Sequence, residues 1–343
     1  MDAASLERRI QTVCLLLLSA VALGAALYWL RPVMIPFVLA LFLALGATPL
    51  VNLQVRSLHL PRGLAVATTL MLALLVAFGV SLLLSSSVRQ LGAEAASYQK
   101  QLRDLIEQLA RVLPLEQLGV SAQATASTLS EIPVSAVGGF LLGTTNAIMN
   151  TLSQSVLVLI FVVYLISGGR SAGAREVSGT WGEIEKRIER YLLWKAALSA
   201  ATGVLVGGTL VLLGIDLALM FGLFAFLLNF IPSVGSVIAT LLPLPVVIVS
   251  PDVSPTVAVL AIAVPGAIQF SIGSVIEPRV MGESLDLHPI TILMSLILWG
   301  MLWGIVGMFL ATPITAVMKI LFEKLEITRP VAALLAGRPG AGS

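Results

Sequence analysis

From Gly63 to Ser87 the chain carries no charged residue, and a helix of that length, rising about 1.5 Å per residue, outreaches the roughly 30 Å hydrocarbon core of a bilayer. Comparable apolar runs extend over Val33 to Val51, Ala147 to Ile166 and Ala196 to Gly214. With 58% hydrophobic and 11% charged residues, and a mean hydropathy of +1.01, the composition lies far from that of soluble domains. The spans must be helices, because an open sheet edge leaves backbone groups that lipid cannot satisfy. The expected class is an all-α integral membrane protein in contact with the lipid bilayer.

The first apolar run follows Arg8 and Arg9 as a secretory leader would, but it is too long and lacks a small-x-small exit. Tyr28 and Trp29 close it like an interfacial aromatic belt, so it reads as a retained first span. Lysine and arginine then set the orientation. Arg8, Arg9, Arg56, Arg62, Arg170, Arg175, Lys186, Arg187, Arg190, Lys195 and Arg279 fall on one side, against Arg31, Arg89, Lys100, Arg103 and Arg111 on the other. That asymmetry puts both termini in the cytoplasm. A net charge of +2 with scattered basic residues argues against nucleic acid. The single cysteine, Cys14, can form no intramolecular disulfide. With no phosphate loop, no H-E-x-x-H helix and only His59 and His288, far apart in sequence, neither an enzyme nor a cofactor nor a metal centre is expected.

Between the third and fourth spans, Val88, Leu91, Ala95, Tyr98, Leu102, Leu105, Leu109 and Val112 alternate at spacings of three and four. This is a heptad seam, which suits either a helix packing on a return helix near Pro133 or a contact between subunits of a homo-oligomer. A second polar stretch, Glu183 to Lys195, sets Ile184, Ile188, Tyr191 and Leu192 against Lys186, Arg187 and Arg190, as a helix lying on the inner membrane surface would. The expected organisation is a three-helix membrane part (1–88), an extramembrane helical insertion (89–146), the fourth span with its interfacial helix (147–195), a core of 196–322 and a cytoplasmic tail (323–343). In the fifth span, Gly203, Gly207 and Gly208 form a small-residue stripe suited to close helix packing.

Beyond Asp216 the apolar segments become too short to cross a bilayer. Leu217 to Phe230 and Val234 to Val249 are two arms around "IPSVG", where Pro232 removes a backbone donor and Gly235 permits a sharp reversal. A seventh segment, Pro255 to Ile276, follows, and then two further arms, Ile290 to Trp303 and Ile305 to Ile320. "VGSVIATLLP" from Val234 and "VGMFLATP" from Val306 share Val-Gly, Ala-Thr and a following proline. One span plus one hairpin, given twice in opposite directions, is an inverted repeat of the kind found in secondary transporters. The expectation is about six full spans plus two re-entrant hairpins, or about eight spans if the hairpins cross completely.

"NFIPSVGSVIATLLPLP" and "IEPRVMGESLDLHPITILMSLILWGMLWGIVGMFLATPITAVMKILFE" resemble the paired signatures of the autoinducer-2 exporter (AI-2E) family, also called the PerM permeases. Gly282, Leu285, His288, Pro289, Gly304, Gly307 and Pro313 stand in the family's order, and the likeness runs from Pro32 and Pro36 to Phe322. The resemblance implies a multi-pass, oligomeric inner-membrane transporter that works without ATP. Members are associated with export of the quorum-sensing signal autoinducer-2, and some with sodium (lithium)/proton antiport. The readings left open are an exporter of a small solute coupled to an ion gradient, a Na+/H+ antiporter, and a non-transporting envelope scaffold.

The residues expected along a solute or ion pathway are Asn229, Pro232, Ser233, Gly235, Ser236, Gln269, Gly304, Gly307, Thr312 and Pro313, at the breaks where freed backbone groups can coordinate a solute. Glu277, Arg279, Asp286 and His288 are the candidates for coupling. For Glu277 two readings compete. In one it pairs with Arg279 to hold the hairpin in register. In the other it binds the coupling cation or proton, and Glu277→Gln then abolishes pH-dependent flux without loss of stability.

Overall fold

The structure, a computed structural model, describes residues 3–112, 156–166, 180–250, 253–281, 286–326 and 328–338, and every regular element among them is helical. In chain order these are α1 (Ala3–Trp29), α2 (Arg31–Ser57), α3 (Arg62–Val112), α4 (Val156–Ile166), α5 (Thr180–Leu212), α6 (Ala218–Leu228), α7 (Val234–Leu241), α8 (Leu244–Val249) and α9 (Pro255–Phe270), then a π-helical turn (Ser271–Ile276), α10 (Glu277–Met281), α11 (Pro289–Lys324) and α12 (Arg329–Leu335). Among the described residues, five helical segments are long and apolar enough by length and composition to cross a membrane: Arg31–Ser57, Arg62–Ser87, Gly182–Leu212, Pro255–Val280 and Pro289–Lys324, the last of which is broken at Gly304.

One sequence expectation changes here. The stretch Glu183 to Lys195 is not a separate surface helix, because it runs without a break into the fifth apolar segment as α5. The heptad stretch continues the third apolar segment as one helix, α3, to Val112. The seam's side chains and the return helix near Pro133 lie outside the described residues, as does the first half of the fourth segment.

The chain divides into two compact units. The first comprises Met1–Leu53, Gln154–Leu192 and Glu283–Ser343. Its centre is α11, which is a hairpin of two helical arms. The chain reverses at Gly304, whose φ of 64° and ψ of −145° belong to no helix. The indole Nε1 of Trp299 donates to Thr315 Oγ1 at 3.3 Å, and sixteen residues of straight helix would hold those groups about 24 Å apart. The rings of Trp299 and Trp303 lie 5.0 Å apart at a tilt of 52°, and Trp303 Nε1 donates to the Leu27 carbonyl of α1 at 3.2 Å. Both indoles are thus buried and satisfied, as their polar edge requires. Leu27, Met34, Ile35 and Val38 pack against the same cluster.

The second unit comprises Gln54–Ser153 and Leu193–Gly282. Its core joins Val206 and Leu210 of α5 to Phe221 and Ala225 of α6, with Ala239, Val247 and Ala261 from the following helices. Here α5 and α6 cross at glycines: a Cβ on Gly203 would lie 2.8 Å from the Gly222 carbonyl oxygen, and one on Gly207 3.2 Å from Gly222 Cα. Close packing is therefore the use of the stripe, except at Gly208, where a Cβ would meet nothing within 4 Å. The α6–α7 hairpin turns at Ser233, which takes φ 59° and ψ −53°. Sequence assigned that reversal to Gly235. The structure gives Gly235 another role: a Cβ there would collide with the Leu228 carbonyl, so glycine is what lets the arms touch. Gly307 repeats the arrangement in the first unit, against the Trp299 carbonyl.

Candidate solute-binding site

The second unit contains a cavity of about 490 Å³ beneath the tip of the α6–α7 hairpin. Helix α5 supplies one wall. Lys195 lines the cavity, buried to 2% exposure, and Ser199, one turn along the same face, is buried but not part of the lining. The hairpin supplies Asn229, Pro232, Ser233, Ser236 and Thr240, and the third wall is α9, its π turn and the start of α10, carrying Gly266, Gln269, Gly273, Ser274 and Glu277. The π turn has a local cause. Pro278 lacks an N–H, and its ring would strike the Ser274 carbonyl in a regular α-helix. The backbone instead winds wider, with the Glu277 N–H donating to the Ile272 carbonyl five residues back.

Lys195 Nζ donates to Glu277 Oε1 at 2.5 Å. This corrects the expected partner, since Glu277 pairs with Lys195 and not with Arg279, which is exposed and lines no part of the cavity. It also corrects the reading of Lys195 as one of the cytoplasmic surface charges. A buried ammonium is tolerated only when paired, and stripping one partner from such a pair costs about 3–5 kcal/mol. Asn229, itself buried, donates through Nδ2 to Ser199 Oγ at 3.0 Å. Gln269 is 4% exposed, yet neither its Nε2 nor its Oε1 has a hydrogen-bond partner. An unmade bond of this kind costs about 1–3 kcal/mol per buried group, so an orphaned carboxamide beside a cavity demands a reason.

Six of the expected pathway and coupling residues therefore line one cavity: Asn229, Pro232, Ser233, Ser236, Gln269 and Glu277. Gly235 lies within the hairpin crossing instead. Apart from Arg279, the remaining candidates belong to the first unit. Gly304 forms its reversal and Gly307 its close approach. Thr312 and Pro313 are buried in the return arm, Thr312 Oγ1 without a partner. Asp286 is held by Lys319 at 2.7 Å and Arg338 at 2.9 Å. His288 caps α11, its Nδ1 accepting from the Ile290 N–H at 3.3 Å and its ring lying on Gly337. That is a capping and packing role. Lys195, Ser199, Thr240 and Ser274 were not foreseen. The signal available for the first two was a lysine followed four residues later by a serine at the mouth of an apolar helix. Among the described residues no three His, Cys, Asp or Glu side chains gather as a metal would require.

The family profile described as "AI-2E family transporter" matches residues 17–327. The AI-2 transport protein TqsA of Escherichia coli (strain K12) is 30% identical over 313 residues, 88% of this chain and 89% of that protein. YhhT of the same organism, provisionally named a transport protein, is 30% identical over 337 residues, 95% of each. A Haemophilus influenzae protein, also provisionally named for transport, is 28% identical over 319 residues, 88% of this chain and 90% of its own. A membrane chain matched this completely, with its polar residues gathered at a broken helix, belongs to the AI-2E transporter family.

Proposed function

We propose that the chain is a secondary transporter that exports a small solute such as the autoinducer-2 signal across the inner membrane, drawing on an ion gradient. The observation that carries this reading is the cavity beneath the first hairpin, where a buried ion pair and an unpartnered carboxamide stand at the break between two short apolar arms. The name of TqsA, at 30% identity, supports the choice of solute. The hairpins are re-entrant and belong to an inverted repeat, a reading supported by the shared Val-Gly and Ala-Thr steps and by two glycines that admit the same backbone approach. The termini are cytoplasmic, in keeping with the arginine and lysine distribution, and the chain works as a homo-oligomer.

Glu277 is the coupling group, and Lys195 is the cation it holds when no proton or external ion is bound. Exchange of Na+ for H+ is the second reading, favoured by a carboxylate that keeps 21% side-chain exposure at the cavity. The test is purified protein in liposomes, loaded with labelled autoinducer-2 and given a pH or sodium gradient. Efflux that follows the gradient supports export. A pH change upon adding sodium, without solute movement, supports antiport. The absence of both in correctly folded protein sinks the transport reading and leaves the envelope scaffold.

A further inference from the structure

We infer that the exposed face at the start of α5 is a docking site for an anionic phospholipid, with Lys186 and Arg190 on its phosphodiester and Trp194 at the edge of its acyl chains. This surface is separate from the cavity, and its occupant does not depend on what is transported.

Helix α5 carries four basic side chains, Lys186, Arg187, Arg190 and Lys195. Two of them are spent. Arg187 pairs with Glu183 at 2.7 Å, and Lys195 is buried against Glu277. Glu183 is shared further with Lys324 at 3.5 Å. Lys186 and Arg190 are exposed and make no ion pair among the described residues. They lie one turn apart on one face, where like charges repel and weaken a helix slightly. A single phosphodiester between them turns that repulsion into charge-assisted bonds, and the planar fork of the arginine suits phosphate oxygens.

Further along the helix, the same face identifies the rest of the ligand. At about 100° per residue, Leu193, Ala197, Ala201, Val204, Gly208 and Val211 fall with Lys186 and Arg190 within about a quarter of the helix circumference, and all six are exposed. Lys195 stands half a turn away, which is why it points into the protein while the other two do not. The exposed face is thus apolar from Leu193 onward and cationic before it. Trp194, 46% exposed, sits at the change, where the apolar body and polar edge of an indole suit a membrane interface. From Leu193 to Leu212 the helix covers about 30 Å, the depth of the hydrocarbon core, so Arg190 and Lys186 rise about 5 Å and about 10 Å beyond it, into the headgroup layer. Their side chains also lean toward the helix N-terminus, away from the core. A soluble anion would use the two charges but neither the indole nor the apolar stripe; a phospholipid uses all three.

Native mass spectrometry of the full-length protein in detergent, with dioleoylphosphatidylglycerol and dioleoylphosphatidylcholine added in competition, reads the site. The parent should retain phosphatidylglycerol in preference, and Lys186→Gln combined with Arg190→Gln should cut that preference about tenfold, in line with the pull of two basic side chains at an anionic surface. Arg56→Gln combined with Arg62→Gln removes the same charge at two exposed positions elsewhere and should leave the preference unchanged. Both double variants should melt with the parent, since every replaced side chain is exposed. Glycerol 3-phosphate, which offers the phosphate without the acyl chains, should not compete. No preference in the parent, an undiminished preference without Lys186 and Arg190, or an equal loss in the Arg56 and Arg62 variant would each overturn the proposal. Competition by glycerol 3-phosphate would overturn it in favour of a soluble phosphate ligand. A changed oligomer mass in the Lys186 and Arg190 variant, with its lipid preference intact, would give this face to a second copy of the chain.

Discussion

Removing either member of the Lys195–Glu277 pair should harm the fold, and unequally. Glu277→Gln strands an ammonium that is 2% exposed, whereas Lys195→Met strands a carboxylate whose side chain retains 21% exposure and so keeps some contact with water. The first loss should approach the about 3–5 kcal/mol typical of breaking a buried pair, and the second should be nearer about 1–2 kcal/mol. Replacing both at once leaves no orphaned charge, and the double variant should come back to within about 1 kcal/mol of the parent. Thermal unfolding in one detergent and at one pH reads the cycle. At about 2 °C per kcal/mol for a chain of this size, Glu277→Gln should melt about 6–10 °C lower and the double variant within a few degrees of the parent. Losses that simply add, or single variants that melt like the parent, would refute the pairing. The cycle also repairs the functional test: Glu277→Gln alone cannot separate coupling from stability, but a double variant that folds and has lost pH-dependent flux can.

Gly235→Ala and Gly307→Ala should each destabilise by several kcal/mol or prevent folding, because the added methyl meets a backbone carbonyl that cannot move aside; Gly208→Ala, where a Cβ meets nothing, should be neutral or raise the melting temperature. Lys319→Met should cost about 3 kcal/mol, since the lysine is 1% exposed and serves both Asp286 and Glu323, while Arg338→Ala, 59% exposed, should cost under about 1 kcal/mol by the same melting assay. Single cysteines at Ser233 and Ile305, both exposed, in a Cys14→Ala background should react with small polar reagents from opposite sides of the membrane if the hairpins are re-entrant and inverted. Labelling of both from one side would refute the inversion.

Much of this was readable from sequence because lipid leaves few choices. Uncharged runs of sufficient length had to become helices, and the two places where such runs fell short, around Pro232 and Gly304, became the two reversals. The glycine stripe at Gly203 and Gly207 announced a close crossing for the same reason: in lipid, helices approach through small residues. What could not be read was partnership. Arg279 is the nearest cation to Glu277 in the chain, but two residues apart on a helix point in different directions, and the true partner lies eighty-two positions away. Lys195 misled because a lysine at the end of an apolar run is ordinarily solvated, and only the packing of α5 shows otherwise. The role of Gly235 was blurred in a similar way. A glycine in a turn suggests a positive φ, whereas here Ser233 bears the strained angle and the glycine serves contact.

The two hairpins share a turn sequence and a glycine crossing but differ in what fills the places beside them. In α11 the positions before the reversal are Trp299 and Trp303, whose ring nitrogens are fixed to Thr315 of the other arm and to Leu27 of α1, so that the first arm is bonded both to its return arm and to α1. In the α6–α7 hairpin the corresponding stretch carries Asn229 and Ile231, and the tip carries Pro232 and Ser233 above a cavity. Ser233 stores backbone strain, since a non-glycine residue at positive φ costs about 1–3 kcal/mol, and Gln269 adds an unsatisfied amide. Both terms raise the energy of this conformation, and both can be relieved by a change at the tip: the strain by a turn of Ser233, the amide by a solute or water. The tightly bonded hairpin has no comparable reservoir at its reversal, where glycine occupies the positive-φ position at little cost. A transporter needs conformations of similar energy, and in this chain the residues that raise the energy of this one are among those that line the cavity.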